Sequence, residues 1–309
     1  MDITIYQLLD DPGLGHCSRL IRLIKRENSQ KRLSIILVPN ITQLLNYLKV
    51  HHIHNIFEYD VFMQPIELIE LVDKKYKFKK IKEWVVDSKK DCSKLLLLLK
   101  KREVFSTLID NNTDGRLLAN KNIYPTPLFK KNDLNWGGYM GTIESGWKAF
   151  GNFSLVRHNQ NKSKKKNNQI LISFGGEDPN ELTLQVMETL SHIKTGIKML
   201  LVIGPLFKHK KKIESLNMKM GHRFITIENC YDLSDFIINS DCLVTSIGNT
   251  VIEALALDTT CVVISNYPHE GIDERRLNEF KNVTALGYYK RLAKNNNLLL
   301  DAVKTYVEN

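Results

Sequence analysis

Short runs of apolar and β-branched residues, each followed by a stretch with helical periodicity, recur along most of the chain. No other feature limits its folds so tightly. "ITIYQLL" is followed by "HCSRLIRLIKREN", with Leu20, Ile21, Leu23 and Ile24 on one side. The pairs "LSIILVP" with "ITQLLNYLKVHH" and "EWVVDS" with "DCSKLLLLLKKRE" repeat the pattern, Ser88 or Asp91 marking the start of the last helix. "PIELIELVDKK" is helical with Pro65 in its first turn, and "VFSTLID" is a strand. After a polar, lysine-rich stretch the alternation resumes in "ILISF", "KMLLVIG", "FITIEN", "DCLVTS" and "TCVVIS". Each is followed by a helical pattern, and "DERRLNEFKNV" and "NNLLLDAVKTYV" close the series. Strands alternating with helices predict parallel sheets covered on both faces, with right-handed crossovers.

The rhythm breaks between Asn111 and Gly151, where "NNTDG", "YPTP" and "NWGGYMGT" are turn chemistry. The stretch from 158 to 168 has no apolar periodicity and reads as a linker. The expected organisation is therefore a doubly wound domain over 1–157, the charged linker 158–168, and a second doubly wound domain over 169–309. In such a fold ligands bind beyond the carboxyl ends of the strands, and two such domains would face a central cleft.

The 309 residues are 43% apolar, enough for buried cores, and carry five scattered cysteines without zinc-ligand spacing. With no basic or small-residue pattern at the start to read as a secretory signal, the expectation is a cytoplasmic protein with reduced, mostly buried thiols. The longest purely apolar run, Leu95–Leu99, is far too short to span a membrane. The net charge of +10 lies in lysine runs not interleaved with aromatics, so nucleic acid is not an expected partner. Those lysines suit a solvated surface, with mild attraction for phosphorylated substrates or peripheral association with a membrane.

Four stretches could carry chemistry. In "GLGHCSRL", Gly13 and Gly15 allow close backbone approach to a ligand. The following helix start suits an anion, and His16 could act as a base or donate to a phosphate. The same residues also make an ordinary turn into a helix. Ser18 occupies the place of the third glycine of a dinucleotide fingerprint. In "ISFGGEDPNELT", Gly175 and Gly176 form either an anion cradle or a plain turn, with Asp178 or Asn180 capping the next helix. In "VTSIGNTVIEALAL", Ser246, Gly248, Asn249 and Thr250 precede Glu253, whose carboxylate could hold a ribose diol or complete a capping box with Thr250. In "SNYPHEGIDERRL", Asn266 follows a buried strand, and Asp110 closes the strand "TLID". No cofactor or metal is called for by these residues.

Taken in order, "GLGHCSRLIRL", "LIDNNTDG", "ISFGGEDPNELT" and "VTSIGNTVIEALAL" resemble the UDP-sugar hydrolases of pseudaminic acid synthesis and the spore-coat polysaccharide proteins. More distantly the chain is similar to the GlcNAc transferase that forms lipid II. The resemblance implies the GT-B fold, two Rossmann-like domains around a cleft, and a UDP-sugar substrate. It gives His16 the task of activating water or orienting the reaction at the anomeric carbon. It assigns Gly13, Gly15, Arg19, Asp110, Gly175, Gly176, Ser246, Gly248, Asn249, Thr250, Glu253 and Asn266 to substrate, with Glu253 on the ribose. The sequence departs from the family pattern at Asn111, Ile247 and Tyr267. Hydrolysis, transfer to a sugar acceptor by inversion, and binding without turnover are the three functions the resemblance leaves open.

Overall fold

The computed structural model describes residues 2–8, 14–27, 33–60, 62–76, 80–151, 167–193, 196–230, 232–292 and 297–307. The chain forms two compact units, Met1–Leu155 and Val156–Asn309. The expected linker lies outside the described residues apart from 167 and 168.

The first unit runs β1 (Ile3–Leu8), α1 (Leu14–Glu27), β2 (Leu33–Pro39), α2 (Thr42–Val50), β3 (Ile56–Tyr59), α3 (Pro65–Tyr76), β4 (Ile81–Asp87), α4 (Ser93–Lys101) and β5 (Phe105–Ile109). It ends with β6 (Lys121–Tyr124), β7 (Thr142–Ser145) and α5 (Gly146–Gly151). Its seven strands are parallel in the order β3-β2-β1-β4-β5-β6-β7. Every side chain of β1 is buried, as a central strand covered on both faces requires. On one face Ile3, Ile5, Trp84 and Val86 pack with Leu68, Ile69, Leu95 and Leu96 of α3 and α4. Alternation along the strands puts Val85 and Asp87 on the opposite face.

The second unit runs β8 (Gln169–Ser173), α6 (Leu182–Leu190), β9 (Lys198–Ile203), α7 (Lys210–Lys219), β10 (Phe224–Glu228), α8 (Ser234–Ile238), β11 (Cys242–Ser246), α9 (Asn249–Ala256) and β12 (Cys261–Ser265). It ends with α10 (Gly271–Leu277), β13 (Val283–Tyr288), α11 (Tyr289–Leu292) and α12 (Asn297–Val307). Its six parallel strands take the order β10-β9-β8-β11-β12-β13. Leu299, Val303 and Val307 of α12 pack into the same core as β8 and β11.

Both sheets reverse direction at one place, between β1 and β4 in the first unit and between β8 and β11 in the second. Successive connections leave such a pair toward opposite faces and open a crevice above the strand ends, where doubly wound folds take their ligands.

Three strands differ from the sequence reading. β6 and β7 lie in the stretch read as turns, and β13 begins where the helical reading of "DERRLNEFKNV" ends. β6 and β7 are four residues each with polar members, too short to show alternation. None of the five cysteines forms a disulfide among the described residues, and four are buried. The Cys17 thiol is pushed up to about 12, first by burial and then by the Asp87 carboxylate nearby. Among the described residues no helix is long and apolar enough to cross a membrane.

Candidate active site

His16 stands in the first turn of α1, above the carboxyl end of β1, with Arg19 one turn further along the same helix face. Both reach Asp87, the last residue of β4. Asp87 is fully buried and accepts from His16 Nδ1 at 2.6 Å. Arg19 grips the same carboxylate with two donors, Nε to Oδ2 at 2.8 Å and Nη2 to Oδ1 at 2.6 Å. This fork is the geometry in which a guanidinium holds a carboxylate most firmly. Arg19 Nη2 also sits 3.1 Å from His16 Nδ1, and Nη1 reaches Asp110 Oδ2 at 3.4 Å.

Burial alone would raise the Asp87 carboxyl. The charges of Arg19 and His16, with their hydrogen bonds, outweigh it and hold the group below its usual range. Burial works against the charged form of Arg19 as well, and Asp87 and then Asp110 overcome it, raising the guanidinium further. An ionised Asp87 can only accept, so Nδ1 of His16 donates to it and Nε2 is the ring nitrogen left to exchange a proton. His16 keeps 22% of its side chain exposed while Asp87 keeps none. The group thus has a half-buried base, a sealed carboxylate that orients it, and a cation that keeps the carboxylate ionised.

Asp110 follows β5 in the left-handed region, φ 54°, with its side chain 27% exposed. Its neighbour Asn111 is structural. The buried Asn111 amide donates to the Ser88 and Lys90 carbonyls at 2.6 and 2.7 Å and accepts from the Thr113 backbone at 2.9 Å. An aspartate could not donate those two bonds.

In the second unit Gly175, at φ 80°, turns the chain at the end of β8. A Cβ on Gly204 would collide with the carbonyl oxygens of Gly175 and Gly176, so the turn lies directly on the chain leaving β9. Asp178 receives the Leu182 and Thr183 N–H groups at 2.9 and 2.8 Å, the capping task expected of it. Burial pushes its carboxyl up despite those bonds. Asn180 does not cap. Its amide donates to Asn266 Oδ1 at 3.0 Å, joining the β8 turn to the end of β12.

The capping box expected of Thr250 and Glu253 is not formed. The helix begins at Asn249, so Thr250 lies inside it, and its cap is Gly248, which makes no side-chain cap bond. Gly248 is extended at φ 166°. Glu253 is buried one turn in, and Ser246 closes β11. Asn266 is also buried. Gly15 is exposed at the start of α1, while Gly13 lies outside the described residues. Tyr267 is exposed and stacked on His269, 5.4 Å between centroids.

Sequence reasoning missed two residues. Asp87 closes a buried strand as Asp110 does, and a carboxylate in that position is the signal that could have found it. Gly204 ends "LLVIG" and carries no signal until the β8 turn is seen against it. No group of three or more metal-ligating side chains forms among the described residues.

No family model matches the chain. An uncharacterized protein of Methanocaldococcus jannaschii is 31% identical over 112 residues, which is 36% of this chain and 22% of that one. The spore coat polysaccharide biosynthesis protein SpsG of Bacillus subtilis is 24% identical over 110 residues, 35% of this chain and 32% of that one. The chain therefore spans no more than a third of the length of either relative. Solved structures match nearly end to end. The spinosyn rhamnosyltransferase SpnG aligns over 99% of this chain and 91% of its own with a TM-score of 0.68 at 11% identity. MurG of Acinetobacter baumannii aligns over 100% and 95% with a TM-score of 0.62 at 11% identity. A UDP-GlcNAc 2-epimerase of Neisseria meningitidis, solved with UDP-GlcNAc, aligns over 100% and 93% with a TM-score of 0.61 at 10% identity. The two parallel-sheet units, of seven and six strands, have the GT-B fold of these structures.

Proposed function

We propose that the protein is a nucleotide-sugar hydrolase that releases UDP from a UDP-linked modified deoxy-amino sugar. The pathway assigned to it is nonulosonic (pseudaminic-type) or surface polysaccharide biosynthesis in the cytoplasm. The observation that carries the reading is the His16–Asp87 pair, a half-exposed imidazole oriented by a buried, ionised carboxylate at the switch point of the first sheet.

In this reading a water oxygen attacks the anomeric carbon while the bond from that carbon to the β-phosphate oxygen breaks. UDP leaves with the electron pair, and the configuration inverts. Nε2 of His16 takes the water proton, and Asp87 stabilises the imidazolium that forms. Arg19 and Asp110 hold Asp87 and His16 in place. The turns at Gly175, Gly176, Gly248 and Asn249 supply backbone N–H groups to the diphosphate, and the α9 start adds its dipole. Glu253 accepts from the ribose, with Ser246, Thr250 and Asn266 beside it. The chemistry calls for no resident cofactor. UDP-GlcNAc in the epimerase structure and the spore-coat relative support a UDP-sugar and a polysaccharide pathway.

A sugar hydroxyl in place of water would use the same base, and the transferases among the solved structures support that reading equally. Pure protein incubated with UDP-sugars and no acceptor tests the choice. Hydrolysis predicts free UDP that disappears in His16→Ala. UDP formed only after an acceptor is added makes the protein a transferase. UDP binding without turnover makes it a binding protein, and no UDP binding at all overturns the reading.

A further inference from the structure

A cavity of about 380 Å³ opens in the first unit, and every residue of its wall belongs to that unit. Gln7 of β1, Tyr59 closing β3, Leu68 of α3 and Leu95 of α4 contribute to it. Gln7 shares the sheet face of Ile3 and Ile5, which pack under α3 and α4, so the cavity lies on the face away from Asp87. One side of it is the segment that leaves β4 just after Asp87. That segment is held firmly. The Asn111 amide donates to the Ser88 and Lys90 carbonyls, and Cys92 Sγ donates to the Lys90 carbonyl at 3.3 Å.

Gln7 is 1% exposed, and its orientation is fixed chemically. The Trp84 indole can only donate, and it donates to Gln7 Oε1 at 2.8 Å. The Nε2 end of the amide, with two N–H donors, meets no acceptor among the described residues. Its neighbours do not seal it, so those donors open on the cavity. The buried part of the wall is otherwise apolar, and the Tyr59 hydroxyl donates to the Leu8 carbonyl. The exposed rim holds Lys90, Lys94 and the single carboxylate of Asp91. Asp91 is committed to the Ser93 N–H and hydroxyl at 3.1 and 2.6 Å, and Lys94 has no partner among the described residues. The inner wall therefore matches a neutral acceptor on an apolar body, because a charge there would be buried against one uncharged donor. The rim, positive by one charge, matches a monoanion. A phosphate ester would bring a second charge and find the Ser93 N–H already taken.

We propose that this cavity binds a small apolar carboxylate. Its body lies against Tyr59, Leu68 and Leu95, a neutral acceptor at its inner end takes the Gln7 Nε2 donor, and its carboxylate faces outward to Lys94. The occupant touches the segment that leaves Asp87 and lies across the sheet from His16, so it is an effector of the His16 group and not a reactant. The site does not depend on the UDP-sugar reading.

Nuclear magnetic resonance with para-methoxybenzoate, an apolar ring with an ether acceptor at one end and a carboxylate at the other, tests it. The chain has three tryptophans, and the indole signal that survives in both Trp136→Phe and Trp147→Phe is that of Trp84. Because this indole donates to Gln7, its signal should shift with millimolar para-methoxybenzoate. para-Ethylbenzoate lacks the ether oxygen and para-methoxybenzamide lacks the charge. Each should bind about five-fold more weakly, the effect of one neutral hydrogen bond or one exposed ion pair. Lys94→Glu, a change at an exposed side chain, should weaken para-methoxybenzoate by at least the same factor. The His16 ring signals, assigned by their loss in His16→Ala, should shift along the same saturation curve. An unmoved Trp84 signal, equal affinity for the three compounds, or an affinity untouched by Lys94→Glu overturns the site. A Trp84 shift with unmoved His16 signals overturns the effector role.

Discussion

At the residue scale, the group around Asp87 binds stability and chemistry together. Replacing Asp87 by Asn keeps the volume but leaves Arg19 buried without its counter-charge. Breaking a buried pair in this way costs about 3–5 kcal/mol, which urea unfolding at pH 7 measures. The same variant loses the acceptor that fixes the His16 tautomer, so UDP release should fall by roughly three to four orders of magnitude. The pH dependence has a definite sign. Asp87 has a folded pKa below its unfolded value, so its contribution is complete above the usual carboxylate range and is lost as pH falls through the depressed folded value. The stability gap between the unaltered protein and Asp87→Asn should therefore be flat near neutrality and close in acid. A gap that widens on acidification would contradict the assignment.

At the element scale, the turns between strands and helices decide where the site residues stand. Asn111 ties the loop after β4 to the end of β5 through two donated bonds. Asn111→Asp sets a carboxylate oxygen against two carbonyls and should cost about 1–3 kcal/mol or more. Denaturant midpoints would check it. Asp178 caps α6 through two backbone N–H groups, so Asp178→Ala should lose about 1 kcal/mol. Asp178→Asn should also lose stability, because the two N–H groups use different carboxylate oxygens and an amide offers only one acceptor. Thermal midpoints of the two variants, ranked against the parent, test this pairing.

The helix starts were the least legible elements in the sequence. Thr250 and Glu253 have capping-box spacing, yet the helix starts at Asn249 and makes spacing alone misleading. His16 and Asp110 stood out as candidates because they sit beside a glycine or at a strand end, and Arg19 only through the family resemblance. Asp87 shares the second signal but lies 71 positions from His16, a separation no local pattern bridges. Gln7 looked like one more residue of an apolar run, and only the pairing with Trp84 gives its amide a direction.

At the scale of the whole molecule, the alternation of strands and helices made two doubly wound parallel sheets legible without the strand order, and the GT-B expectation came from the family resemblance. β6 and β7 escaped because strands of four residues with polar members show no alternation, and β13 because it begins on the last residue of a helical pattern. Each unit places candidate residues at the point where its strand order reverses, with Asp110 and Asn266 one strand further along at the ends of β5 and β12. The nucleotide assigned to the second unit predicts a stability linkage. UDP at about 100 times its Kd should raise unfolding free energy by about 2.7 kcal/mol. Gly204→Ala, whose Cβ would collide with the Gly175 and Gly176 carbonyl oxygens and displace the turn, should abolish that gain. Unfolding with and without UDP measures both.

The central claim is that water attacks the anomeric carbon with His16 as the base. Hydrolysis of the UDP-sugar in ¹⁸O-enriched water, followed by mass spectrometry of the UDP formed, tests it most directly. Cleavage between the anomeric carbon and its oxygen predicts UDP free of label, at a rate that collapses in His16→Ala. Label in the terminal phosphate of UDP would mean attack at phosphorus and would contradict the account.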